Sequence, residues 1–165
     1  MARVATGGMR FLFVDRLLAV DPGVAIEILK NVTATEDVFE DHFPGHPILP
    51  GALVVETFEQ ASQLLVGLSH DFARVGRLTA VKRAAFRHFV RPGDQLRVRC
   101  ARAGGDERGW TIAASAEVDG RRVASATLEL ALVPAEGADK EHAERLRETV
   151  RLLRAGPIEP GGGIA

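Results

Sequence analysis

Tyrosine is missing from this chain, and cysteine and tryptophan occur once each. The single cysteine, Cys100, excludes an internal disulfide and a zinc site built on several thiolates. It fits a reducing, cytoplasmic setting. Aromatic residues make up only 5% and net charge is −1. No strong whole-protein field calls for nucleic acid, and no RNA-reading pattern interleaves aromatics with arginines. No apolar run reaches the roughly 18 residues of a membrane span. The opening MARVATGGMRFLF has too short an apolar core for a secretory signal. There are no internal repeats and no P-loop, because the glycine-rich end lacks the helix that phosphate cradling requires.

What is present suits one soluble domain. The chain has 165 residues, of which 46% are hydrophobic and 26% charged, enough apolar surface for a real core. FLFVDRLLAV and VAIEILKNVT flank Asp21-Pro22-Gly23, a turn signal that predicts a hairpin over residues 11–33. Residues 34–50 read as loop. From Gly51 to about Ser69, Leu53, Val54, Phe58, Ala61, Leu64, Leu65 and Leu68 recur at helical spacing with few charges, which predicts one helix buried on most sides. LTAVKRAAFRHFV, QLRVRCARA, WTIAASAEV and RVASATLELALV read as strands, the last two joined by an Asp119-Gly120 hairpin. One long helix against a mainly antiparallel sheet is an α+β domain. We read residues 1–134 as that domain. Residues 135–165 read as an amphipathic helix, with Leu146, Val150 and Leu153 on one face, followed by a flexible tail ending GPIEPGGGIA.

The segment Asp41-His42-Phe43-Pro44-Gly45-His46-Pro47-Ile48-Leu49-Pro50-Gly51 carries the chemistry. Three prolines fix φ and restrict the residue before each of them, so His42 is held at little further entropic cost. Gly51 opens the helix, where amides without intrahelical partners and the helix dipole suit a partly negative oxygen. About a turn and a half later Glu56 lies among Val54, Val55 and Phe58, where a carboxyl loses hydration and suits proton donation. A histidine, such a carboxyl and a helix start form an acid–base site with an oxyanion donor. With no serine or cysteine in a nucleophile's setting, the set fits proton transfer next to a carbonyl. The prolines keep His42 and His46 off a shared helical turn, which excludes them as a metal pair. His88, among basic residues, reads as surface.

HFPGHPILPGALVVETFEQA resembles the active-site segment of the 3-hydroxyacyl-acyl-carrier-protein dehydratases of the FabZ type, whose pattern is close to HFPGxPxMPGVLxxEAxAQ. VDRLLAVDPG, Lys30-Asn31-Val32-Thr33 and RPGDQLRV match outside it, so the resemblance covers about residues 10–133. It implies a hot-dog fold, an antiparallel sheet wrapped around one long central helix. It also implies a homodimer or trimer of dimers with sites at the dimer interface. The activity implied is dehydration of a 3-hydroxyacyl thioester on an acyl carrier protein, without cofactor or metal. By the resemblance His42 and Glu56 are catalytic and come from different protomers, the Gly51 amide binds the thioester oxygen, and Phe43 and Gln60 contact substrate. An aspartate marks the dehydratase–isomerase branch where this chain has Glu56, which favours simple dehydration.

Three departures stand out. Asp41 replaces a glycine, Thr57-Phe58-Glu59 replaces a small Ala-x-Ala, and the absence of tyrosine excludes the tyrosine gate of some members. A hot-dog thioesterase and a non-catalytic acyl-binding or assembly subunit are the competing readings. Between Lys82 and Arg102 seven lysines and arginines face one acid, Asp94. Strand alternation puts Arg97 and Arg99 on one face, where they are expected to dock an acidic carrier protein. The alternative is a solvated strand face.

Overall fold

The structure, a computed structural model, describes residues 12–154. The tail read as flexible lies outside the described residues. Strands β1 (Arg16–Asp21) and β2 (Ala25–Asn31) form the expected hairpin. Its turn closes with Val24 N–H donating to the Asp21 carbonyl at 2.9 Å, and Gly23 sits at φ +77°, a conformation open to glycine. Helix α1 (Val38–Asp41), a single turn, interrupts the segment expected to be loop. Helix α2 spans Gly51–Ser69. Strands β3 (Arg74–Phe86), β4 (Gln95–Gly105), β5 (Gly109–Val118) and β6 (Arg121–Pro134) follow, then helix α3 (Ala138–Arg154).

The six strands make one antiparallel sheet in the order β1-β2-β4-β5-β6-β3. It packs around α2, the hot-dog arrangement. In β4 the alternation buries Leu96, Val98 and Cys100 against the helix and leaves Arg97 and Arg99 outside. The β5–β6 hairpin turns at Asp119-Gly120 with both residues at positive φ, as a tight hairpin of matching twist requires. Phe58 on α2 is wholly buried, and truncating such a ring typically costs about 3–5 kcal/mol. α2 is also less enclosed than its sequence suggests. Ala52, Val55, Glu56, Glu59 and Gln63 stay partly or wholly exposed, and their spacing draws one open stripe along the helix.

β3 begins before LTAVKRAAFRHFV and stops at Phe86, short of the expected strand. Beyond it Arg87 N–H still donates to Val123 at 2.7 Å, but the Val90 carbonyl accepts from Leu49 N–H at 2.7 Å. The chain thus leaves the sheet to brace the proline loop. Behind β2, the buried Lys30 ammonium meets Glu36 at 3.0 Å and lies over the Phe13 ring at 4.9 Å. α3 buries Ala143, Leu146 and Val150 in its contacts with α2, β1 and β3. Arg77 Nε donates to Asp139 at 3.0 Å, and Arg147 donates to the Asp71 carbonyl at 3.0 Å.

Candidate active site

The proline segment is closed by its own backbone. Phe43 and His46 exchange N–H···O bonds of 3.2 and 2.9 Å, and Ile48 N–H donates to the His42 carbonyl at 3.1 Å. His42 N–H donates to Val38 at 3.2 Å, which ties the histidine to the end of α1. Every one of these bonds involves His42 or a residue within six of it, so its position is set locally. The imidazole is half-buried and stacks on Phe43 with ring centroids 4.1 Å apart.

His42 opens onto a cavity of about 240 Å³ that also takes in Gly51, Val54, Phe86, His88 and Phe89. The lining is mainly apolar. Phe86 reaches it from the inner face of the sheet, along the register row Ile28, Val98, Ala116, Ala124, Phe86. A Cβ on Gly51 would stand 2.8 Å from the Phe86 ring, so the ring lies directly over the start of α2. Pro50 caps the helix without a side-chain bond, and its carbonyl accepts from Leu53 N–H at 2.9 Å. The amides of Gly51 and Ala52 come before the first intrahelical donor and have no partner within the helix.

Glu56 is on the open stripe of α2 and does not line the His42 cavity in this single chain. Gln60 Nε2 donates to Glu56 Oε1 at 2.9 Å, and Gln60 Oε1 accepts from Phe13 N–H at 2.9 Å. Gln60 is buried and holds the carboxyl from one helical turn away. Phe43 is 51% exposed, Phe86 52% and Phe89 71%. Phe86 and Phe89 line the cavity and carry its apolar surface out to solvent, while Phe43 stays against the His42 ring. His88, expected to be plain surface, is exposed but lines the cavity with His42. Its run of sequence reads as an ordinary strand, and only the departure of the chain at Phe86 brings it here.

Arg97 and Arg99 lie on the outer face of the sheet, both beside Glu27, at 3.4 and 3.0 Å. Glu27 sits directly across from Arg99 in the β2–β4 register, so the strand face there is partly neutralised. Burial pushes the Cys100 thiol up to about 12, and it donates to the Phe58 carbonyl. A thiol so protonated is no nucleophile. Among the described residues no helix is long and apolar enough to cross a membrane, and no group of three His, Cys, Asp or Glu side chains could hold a metal ion.

Residues 6–127 match the model of the FabA-like domain. The 3-hydroxyacyl-[acyl-carrier-protein] dehydratase FabZ of Geotalea uraniireducens is 41% identical over 113 residues, 67% of this chain and 78% of that protein. The enzyme of the same name from Nitrosospira multiformis is 40% identical over 129 residues, 76% of this chain and 88% of its own. Among solved structures, smu.793 of Streptococcus mutans, bound to acetyl CoA, shares the fold. Its TM-score is 0.62 at 13% identity, covering 81% of this chain and 98% of that one.

Proposed function

The chain belongs to the FabA-like family and within it to the FabZ type, and we propose that it dehydrates 3-hydroxyacyl thioesters carried on acyl carrier protein to the trans-2-enoyl thioesters, in fatty acid or related acyl-chain biosynthesis. One observation carries the reading. A loop braced by its own backbone brings His42 and Gly51, whose amide has no partner within the helix, onto one mainly apolar cavity, and Glu56 follows on the open stripe of the same helix.

The chemistry follows from those positions. His42 takes the proton from C2 of the substrate. Negative charge gathers on the thioester oxygen, which the Gly51 amide and the helix dipole stabilise. Glu56 gives a proton to the C3 hydroxyl, the C3–O bond breaks, and water leaves as the C2–C3 double bond forms. Proton exchange through water then resets both groups. Apolar walls strengthen each of these interactions by keeping bulk water away. His42 and Glu56 do not share a cavity within one chain, so the carboxyl that meets His42 comes from a second copy. The working unit is then a homodimer or a trimer of dimers. The acyl carrier protein approaches the basic face that includes Arg97 and Arg99, and the protein works in the cytoplasm.

The test is direct. The full chain is incubated with a 3-hydroxyacyl carrier-protein thioester and the products are separated. Enoyl thioester supports the reading. Free acid would make the protein a hot-dog thioesterase, and an unchanged thioester that still binds would make it a non-catalytic acyl-binding subunit.

A further inference from the structure

The open stripe of α2 does not end at Glu56. It continues through Glu59 and Gln63 into a second cavity, of about 390 Å³, which β3 and the first turns of α3 close from the other sides. Its polar lining is Glu59, Gln63, Arg77, Asp139, His142 and Arg145. Gln63 Nε2 donates to Glu59 Oε1 at 3.1 Å, Arg77 pairs with Asp139, and Arg145 reaches Glu141 at 2.8 Å. The Glu59 carboxyl is held above the usual carboxylate range, first by burial and then by the nearby charge of Glu56. Glu59 follows Glu56 by three residues on α2, so the two carboxyls are neighbours on one helix face. The three residues from α3, Asp139, His142 and Arg145, lie beyond residue 127, where the family match ends.

We propose that this cavity receives the far end of the acyl chain and selects an end bearing oxygen, a hydroxyl or a carboxylate, over a saturated tail. The inference rests on the reading that Glu56 belongs to the reaction centre. From Glu56 to Gln63 the helix rises about 10 Å, so a chain anchored at Glu56 and lying along the stripe delivers its end into the polar lining. A methyl end there would strip water from Glu59, Gln63, His142 and Arg145 and return no hydrogen bond. An oxygen end can accept from Gln63, His142 or Arg145, and a hydroxyl can also donate to Glu59.

The test uses the full chain and pantetheine thioethers of one chain length that differ only in a terminal methyl, hydroxyl or carboxylate. Calorimetry should show an oxygen-bearing end binding at least about tenfold more tightly than the methyl, the scale of one satisfied rather than orphaned buried polar group. The double variant Glu59→Leu with His142→Leu should reverse the order. Gln63→Leu alone makes the same comparison if the double variant does not melt cooperatively. Equal affinity for all three ligands, preference for the methyl, or a preference that survives the leucines would overturn the inference. Binding is read without turnover, so a wild type that dehydrates nothing would sink the proposed reaction while the affinity series still decides this point.

Discussion

The two cavities along α2 differ in what builds them. The first, at the helix start, is mainly apolar and is positioned by a short proline-rich loop and its own backbone bonds. The second, further along the same stripe, is polar and exists only because α3, some 80 residues later in the chain, lies against α2 and β3. In the first, His42 and the helix start are set by local backbone chemistry, and the wall from Phe86 to Val90 comes from farther along the chain; the second needs the long-range docking of α3. Damage to the first should therefore abolish chemistry in a folded protein, whereas damage to the second should change stability and selectivity.

The strongest test of the first cavity is to remove its acid–base groups. His42→Ala and Glu56→Gln should each lower dehydration by about 10²–10⁴-fold, the scale of a positioned acid or base. The melting transition should stay cooperative, because both side chains are only partly buried. Spectrophotometry of the enoyl thioester alongside thermal melts would check both. Near-full activity in Glu56→Gln would move the acid elsewhere, and a lost transition in either variant would make that residue structural.

For the second cavity, Leu146→Ala is the matching experiment. Leu146 is 1% exposed, and its truncation should cost about 2–5 kcal/mol if α3 folds with the rest of the domain. Urea unfolding reads this from the midpoint. A variant as stable as the parent would mean that α3 undocks without consequence, and the polar cavity would lose its third wall.

Gly51→Ala sharpens the contrast from the other side. The new Cβ would meet the Phe86 ring at 2.8 Å, and that ring is half exposed, so it can swing. The strain then falls on the cavity rather than on the fold. kcat/KM should fall about tenfold or more, as small misplacements at a reacting centre do, and adding Phe86→Leu should recover part of the loss. A double variant no better than the single would locate the damage in the helix start itself.

The same contrast explains what could be read from sequence. The limits of α2 and the sites of both tight hairpins follow from local signals, namely apolar spacing and Pro, Gly and Asp at turns. His42, Gly51 and Glu56 stand out for the same reason. The end of β3 does not, because LTAVKRAAFRHFV carries no breaker until Pro92. What ends the strand is a bond from Leu49 to Val90, between residues far apart in the chain. His88 at the cavity and Glu59 beside α3 are hidden likewise, since each acquires its surroundings only when distant segments meet. The two bulky departures at Phe58 and Glu59 look alike in sequence but part ways in space. Phe58 fills the core under the sheet, while Glu59 faces the open stripe.

A smaller effect is expected on the outer face of the sheet. Reversing Arg97 and Arg99 to glutamate should raise KM for carrier-bound substrate several-fold at low salt, because rim charges act mainly on association. The difference should shrink as salt rises. Turnover of a short pantetheine thioester, which needs no docking, is the control. Glu27 already partners both arginines, so a null result on both substrates would return them to a solvated strand face. Equal losses on both substrates would assign the arginines to the fold.

The smallest effect, and the most diagnostic of the polar cavity, is in the pH dependence of stability. Glu59 is raised from 4.5 by burial, then by Glu56, with the Gln63 bond opposing. Folding therefore favours its protonated form. That contribution is fully present below the unfolded value and is lost as pH rises through the folded one. His142 is lowered from 6.5 by burial, then by Arg145 and Arg77, with Asp139 opposing. Folding favours its neutral form, so that contribution is present above the unfolded value and is lost as pH falls through the folded one. The two side chains thus oppose each other. Glu59→Gln should stabilise the protein near neutral pH, and the gain should vanish under acid conditions. His142→Gln should flatten the loss of stability that begins as pH drops below 6.5. Urea midpoints measured across the acid-to-neutral range for the parent and both variants decide the matter. Curves that run parallel to the parent at every pH would show that neither group feels the enclosure that α3 provides.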